Sequence, residues 1–222
     1  MKKPVFSAKD WEKLVNDGTN YGDVGDQFTP RQKALFECIK DKKVLKLQDA
    51  YVFSKHGKKE ENHAVDLARL IAEFEPISKV TSLIITHNGF TPEALQILID
   101  SPYLQDIEYL QLGSNELGDA GVRLIAQTEK FKNVHTLNLE CNGIGPEGAC
   151  ALATSPWLNK IDYLSLVDNR VGEEGARAIA DSDNLASLTY LHLGGNRIQS
   201  EEAREAVRQS KKLVNLKTLK IF

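Results

Sequence analysis

Cysteine is scarce in this chain: three residues, Cys38, Cys141 and Cys150, an odd number with no CxxC pair. That excludes a disulfide framework and points to a reducing compartment. No apolar run approaches the roughly 18 residues a membrane span requires. Behind Lys2 and Lys3 there is no apolar segment of the kind a signal peptide carries. No surplus of positive charge exists either, since the net charge is −3, so nothing attracts nucleic acid in general. No GxxxxGK[ST], HExxH or GxSxG stretch occurs, which removes the P-loop, zinc-protease and α/β-hydrolase readings. Aromatic residues make up only 7%. What remains is a soluble globular composition, 41% hydrophobic and 27% charged over 222 residues, enough for one domain and a core. Charge is unevenly spread: residues 1–62 carry 13 Lys/Arg against 10 Asp/Glu, and residues 63–222 carry 15 against 21.

The dominant feature is self-similarity. Asparagines stand at 88, 115, 142, 169 and 196, each 27 residues from the last. Apolar residues keep step around each one, as in Ile107, Leu110, Leu112, Leu117 and Val134, Leu137, Leu139, Ile144. Every unit switches period partway. "YLQLG", "TLNLE", "YLSLV" and "YLHLG" alternate with period two and predict short strands. "GDAGVRLIAQT", "GPEGACALATS" and "GEEGARAIADS" recur at three to four residues and predict helices. Pro92 after Thr91, Pro146 after Gly145, and Ser200 ahead of "EEAREAV" mark helix starts. A last half unit, Leu216, Leu219, Ile221, ends at Phe222 on an open strand edge.

The pattern LxxLxLxxNxϕGxxG, as in Ile107-Leu110-Leu112-Asn115-Leu117-Gly118-Gly121, resembles the leucine-rich repeat. The strand–loop–helix form is similar to that of ribonuclease inhibitor and the NOD-like receptors, over about residues 80–222. The resemblance implies an α/β solenoid, a right-handed horseshoe with a parallel concave sheet and outer helices. In such a fold the asparagine column is expected to satisfy backbone groups where each strand bends outward, because an amide both donates and accepts.

Upstream, Leu45 and Leu47 predict the strand of an irregular first repeat over 43–79, with a helix over 62–74 and a polar loop "SKHGKKEE" between them. Residues 1–42 read as an N-terminal helical cap: Trp11, Leu14 and Val15 make one apolar face. Thr29, Pro30 and Gln32 open a second helix with a stripe of Ala34, Leu35, Cys38 and Ile39. Regular repeats then fill 80–222, within a repeat region of 43–222. A cap is expected because the first repeat's core edge would otherwise face water.

Side chains alternate along a strand, so residues flanking the two core leucines must share the concave face. Those columns contain Ser82, Tyr109, Thr136, Tyr163, Tyr190 and Thr218; Ile84, Gln111, Asn138, Ser165, His192 and Lys220; Thr86, Gly113, Glu140, Val167, Gly194 and Phe222; then His87, Ser114, Cys141, Asp168 and Gly195, with Glu116, Arg170 and Arg197 past the asparagine. Tyrosine takes three of six places in the first column although the chain holds only six. Tyr and Arg are the residues most often found as interface hot spots. The expected protein-binding residues are therefore Tyr109, Gln111, Asn138, Glu140, Tyr163, Ser165, Asp168, Arg170, Tyr190, His192 and Arg197.

The sequence thus predicts a non-catalytic protein-binding module without cofactor, metal, nucleic-acid, membrane or small-molecule partner. Resemblance to ribonuclease inhibitor implies one concrete form, cover of an enzyme's active site; an adaptor role is the other. A cytoplasmic location is expected, and entry into a host cell as a bacterial effector, without a signal peptide, stays open. The alternative is a scaffold or sensor fragment that binds through its cap or outer helices. His56 and His63 lack the flanking ligands a metal needs. A Cys141/His192 nucleophile pair is weighed and set aside, because two strand spacings separate the two residues by roughly 10 Å.

Overall fold

In the computed structural model, the described residues are Leu35, 43–48 and 63–222. The cap expected over 1–42, apart from Leu35, and the charged loop with His56 lie outside them. Among the described residues, seven strands form one parallel sheet in sequence order: β1 (Val44–Gln48), β2 (Ser82–Thr86), β3 (Tyr109–Gln111), β4 (Thr136–Asn138), β5 (Tyr163–Ser165), β6 (Tyr190–His192) and β7 (Thr218–Lys220). Helices alternate with them: α1 (His63–Ala72), α2 (Pro92–Asp100), α3 (Gly118–Gln127), α4 (Pro146–Ala153), α5 (Gly172–Ala180) and α6 (Glu201–Arg208). The chain is an α/β solenoid of repeating strand–turn–helix units.

Register follows the repeat. Leu110 pairs with Leu137, Leu137 with Leu164, and Leu164 with Leu191, each 27 residues on. The last step is 28, Tyr190 to Thr218, so the final unit holds one extra residue. The leucines of every strand from β1 to β6 are sealed against the helices, and Leu110, Leu112, Leu137, Leu139, Leu164, Leu166, Leu191 and Leu193 have no exposed surface. One continuous cluster runs from Leu35 to Leu213. Helix starts form as the sequence predicts: Thr91 Oγ1 accepts the Ala94 N–H at 3.3 Å and Ser200 Oγ accepts the Ala203 N–H at 3.2 Å.

The asparagines make a ladder. Asn142 Nδ2 donates to the carbonyls of Leu139 and Glu140 in its own repeat, at 3.2 and 3.0 Å, and of Leu112 in the preceding one, at 2.9 Å. Its Oδ1 accepts the Leu117 N–H at 3.3 Å. Asn115 Oδ1 accepts the N–H groups of Asn88 and Phe90, and Asn169 Oδ1 those of Asn142 and Ile144. All five asparagines are buried. The residue before each takes a left-handed backbone: His87, Ser114, Cys141 and Asp168 at φ 51–55°, and Gly195 at 74°. That conformation costs a non-glycine residue about 1–2 kcal/mol, which the ladder offsets.

A second ladder stands at the opposite corner, where helices return to strands. Ser101 Oγ donates to Ala72 O, Ser155 Oγ to Ala126 O and Ser182 Oγ to Ala153 O, at 2.5–2.6 Å. Each hydroxyl also accepts the N–H two residues on, at 3.2 Å. Ser210 repeats the arrangement toward Ala180 O and Lys212 N.

Asn142→Leu removes partners from three carbonyls and one N–H at once. A loss of about 3 kcal/mol is expected, from about 1–3 for a buried group left unmade with partial relaxation. For a chain of this size that lowers Tm by about 6–12 °C. Calorimetry that finds Tm unchanged refutes the structural role of the column.

Candidate protein-binding face

The strand residues opposite the helices form one face. Tyr109, Gln111, Asn138, Glu140, Tyr163, Tyr190 and His192 stand on it, each half-buried by its neighbours. Asp168, Arg170 and Arg197 are exposed at the turn beside the asparagine ladder. Ser165 lies at the expected strand position but is buried, as are Ile84 and Thr86 on β2, so these three offer little surface. Gly113 and Gly194 are covered by side chains of the face itself: a Cβ on Gly113 would meet Glu140, and one on Gly194 would meet His192 and Phe222.

Two tyrosines set the geometry. The β5–β6 register puts Tyr163 beside Tyr190, and their rings stack with centroids 4.4 Å apart and planes 7° from parallel. His192 tilts against Tyr190 at 6.4 Å and meets Phe222 edge-on at 5.8 Å. Lys220 Nζ stands 5.7 Å from the centre of the Tyr190 ring, a cation–π distance. The open strand edge therefore does not leave Phe222 without contact: although 77% exposed, it lies back across Gly194.

Electrostatics divide the molecule. Every ion pair among the described residues lies on the helices or in the helix-to-strand connections, as in Arg123–Glu147, Arg177–Glu202, Arg208–Glu205 and Lys212–Asp183. Glu140, Asp168, Arg170, Arg197 and Lys220, on the sheet face, join none of them. Burial first, then Tyr190, pushes the Tyr163 phenol above its ordinary range. Burial first, then Lys220, holds His192 below its ordinary value of 6.5, while Asp168 and Glu140 act the other way. The Gly194 N–H donates to His192 Nδ1 at 3.2 Å, which fixes the ring.

Cys141 has the opposite of nucleophile chemistry. Burial, then the charges of Asp168 and Glu140, push its thiol up, whereas a reactive cysteine needs its thiolate favoured. Nor do the glycines of Gly143-Ile144-Gly145-Pro146-Glu147-Gly148 cradle a phosphate. Asp119 of the preceding repeat already occupies that helix start, with Oδ1 accepting the N–H groups of Gly145 and Gly148 at 2.6 and 2.9 Å. A Cβ on Gly148 would fall 2.5 Å from that oxygen, so the close approach requires glycine there. Among the described residues no group of three or more His, Cys, Asp or Glu could hold a metal ion. None of the helices among them is long and apolar enough to cross a membrane.

Sequence reasoning missed the serine ladder and the left-handed column. The signal for the first was present, since Ser101, Thr128, Ser155 and Ser182 also recur at 27 residues. The second leaves no residue-type signature: His, Ser, Cys, Asp and Gly share the position.

Comparison with known proteins agrees with this geometry. The family model described as leucine-rich repeat matches residues 103–126, 132–153, 158–180 and 184–201, which hold β3 to β6 and the helices α3 to α5. Among solved structures, an internalin of Listeria monocytogenes is similar, with 18% sequence identity and a TM-score of 0.51. The match covers 90% of this chain and 51% of the internalin, so this chain spans about half of that protein's length. At that identity the likeness concerns the fold alone. A comparison with curated proteins finds no match.

Two outcomes follow from the site. Exposed Cys141 already holds a left-handed backbone, so Cys141→Val should destabilise, because a β-branched side chain crowds that region further, and Cys141→Gly should not; equal urea midpoints for the two variants would contradict that. The His192 ring protons should titrate with a midpoint below 6.5. Because the folded value is depressed, His192 contributes stability present above pH 6.5 and lost as pH falls below it. Lys220→Gln should raise the NMR midpoint and Asp168→Asn should lower it.

Proposed function

We propose that this chain is a protein-binding module that holds its partner on the sheet face, a reading its leucine-rich repeats support. Tyr163 and Tyr190 are the anchors, with Glu140, Asp168, Arg170 and Arg197 setting register around them. The observation that carries this reading is the stack of Tyr163 on Tyr190, with Glu140, Asp168, Arg170 and Arg197 around it in no ion pair among the described residues. Unpaired charges gain from a complementary partner, and paired ones must first be separated. A rigid stack of rings with few torsions loses little entropy when it is covered.

Size supports the same reading. Seven strands about 4.8 Å apart span about 30 Å, room for the roughly 800 Å² per side of a standard interface. The face is broad and shallow, which suits a protein surface better than a small molecule. In its finer form the proposal is that the sheet face covers an enzyme's active-site surface; recruitment as an adaptor, including inside a host cell as a bacterial effector, uses the same residues. A reducing compartment belongs to this proposal and is supported by Cys141 and Cys150, both free thiols.

A pull-down from native lysate tests it, with wild type beside Tyr163→Ala/Tyr190→Ala, shown by circular dichroism to be folded. A protein retained by wild type and lost by the variant is expected. The same protein retained equally by both would move the site away from this face.

A further inference from the structure

We propose that the sheet face contains a slot for an arginine side chain of the partner protein, between Tyr109 and Tyr163 over Thr136. The inference rests on the sheet-face reading above and names the chemistry of its central contact.

The register makes the slot. Tyr109 on β3, Thr136 on β4 and Tyr163 on β5 occupy one row across the sheet. Two strand spacings, about 10 Å, separate the tyrosine positions, and the residue between them is small. On the next spacing Tyr163 has Tyr190 directly against it, ring on ring. In this row the rings touch on the Tyr190 side, while a small residue, Thr136, separates the tyrosine positions on the Tyr109 side. Among the described residues, Tyr163 makes no ring or cation contact except that stack. The far face of the pair shows what a tyrosine face here accepts: the chain's own Lys220 ammonium stands over Tyr190.

Charge selects the occupant. Along β4 the slot's floor continues through Asn138 to Glu140, whose carboxylate is bonded by Asn138 Nδ2 at 3.4 Å and meets no cation among the described residues. Asp168, on the adjacent turn, is likewise unpaired. Behind burial and the neighbouring tyrosines, Glu140 adds to the rise of the Tyr163 phenol, and behind burial Asp168 and Glu140 add to that of the Cys141 thiol, so both carboxylates act on groups beside the slot. A planar cation suits all of this. A guanidinium can stack on the open Tyr163 ring while its N–H fork meets the Glu140 carboxylate. A carboxylate or phosphate entering here would face Glu140 and Asp168 instead.

The test uses the full chain with two acetylated, amidated peptides, Arg-Gly-Arg and its citrulline counterpart, which keeps the shape and loses the charge. NMR follows the rings of Tyr109 and Tyr163 and the Thr136 methyl. Saturable shifts at these three groups with the arginine peptide at millimolar concentration are expected, with none from citrulline. Glu140→Gln should weaken binding about tenfold, the size of one charge-assisted hydrogen bond. Thr136→Phe should abolish it by filling the slot with both walls intact. Equal shifts from the two peptides, absence of saturable shifts, or unweakened binding by either variant overturns the proposal. The pull-down separates the two readings. A partner lost by the double tyrosine variant but kept by Glu140→Gln and Thr136→Phe overturns the slot and leaves the sheet face standing. A partner kept by all four proteins overturns both.

Discussion

The asparagine side-chain amide is the contact on which the rest of the structure depends. A strand of three residues cannot run on into a helix without exposing carbonyls and N–H groups at the bend, and the bend lies inside the core. Asn115, Asn142, Asn169 and Asn196 each donate to carbonyls of their own and the preceding turn and accept from N–H groups of the preceding one. Stability is thereby shared along the column, as repeat architectures require, since a single unit has no second face to bury. The same contact fixes the left-handed residue before it and hence the direction in which the turn side chains leave the sheet. Without it the exposed columns would have no common register.

Two corners are pinned in this way, by amide at the strand-to-helix turn and by hydroxyl at the helix-to-strand return. Between them the surfaces differ in electrostatic character. The outer helices α3 to α6 carry ion pairs within and between repeats, and exposed pairs of this kind contribute little to stability. The sheet face carries Glu140 after β4, Asp168 and Arg170 after β5, Arg197 after β6 and Lys220 on β7, around a rigid aromatic stack. Recognition through such a face is governed by complementarity of charge and shape more than by apolar area.

Much of this was legible before any coordinates. The 27-residue period placed the strands, the asparagine column and the helix starts at Pro92, Pro146 and Glu201, and it aligned Tyr109, Tyr163 and Tyr190 in one column. The serine ladder escaped although its residues recur at 27, because serine and alanine are common and nothing local says that a hydroxyl reaches a carbonyl 29 residues upstream. Ser165 was read as exposed by strand alternation, which specifies a face and not the neighbours that cover it.

By itself the sequence determined which residues share a column, because the period of the chain is the period of the solenoid. It determined the solenoid too, since a strand–turn–helix unit that buries one leucine row can do so only against copies of itself. Tertiary structure alone decided how the members of a column treat one another. The stack of Tyr163 on Tyr190, the placement of Phe222 across Gly194 and the capture of the α4 start by Asp119 all arise between repeats. These contacts depend on side-chain direction and on distances of a few ångströms between groups a full repeat or more apart in the chain. No local pattern encodes such distances, and they come into being only when the repeats stack.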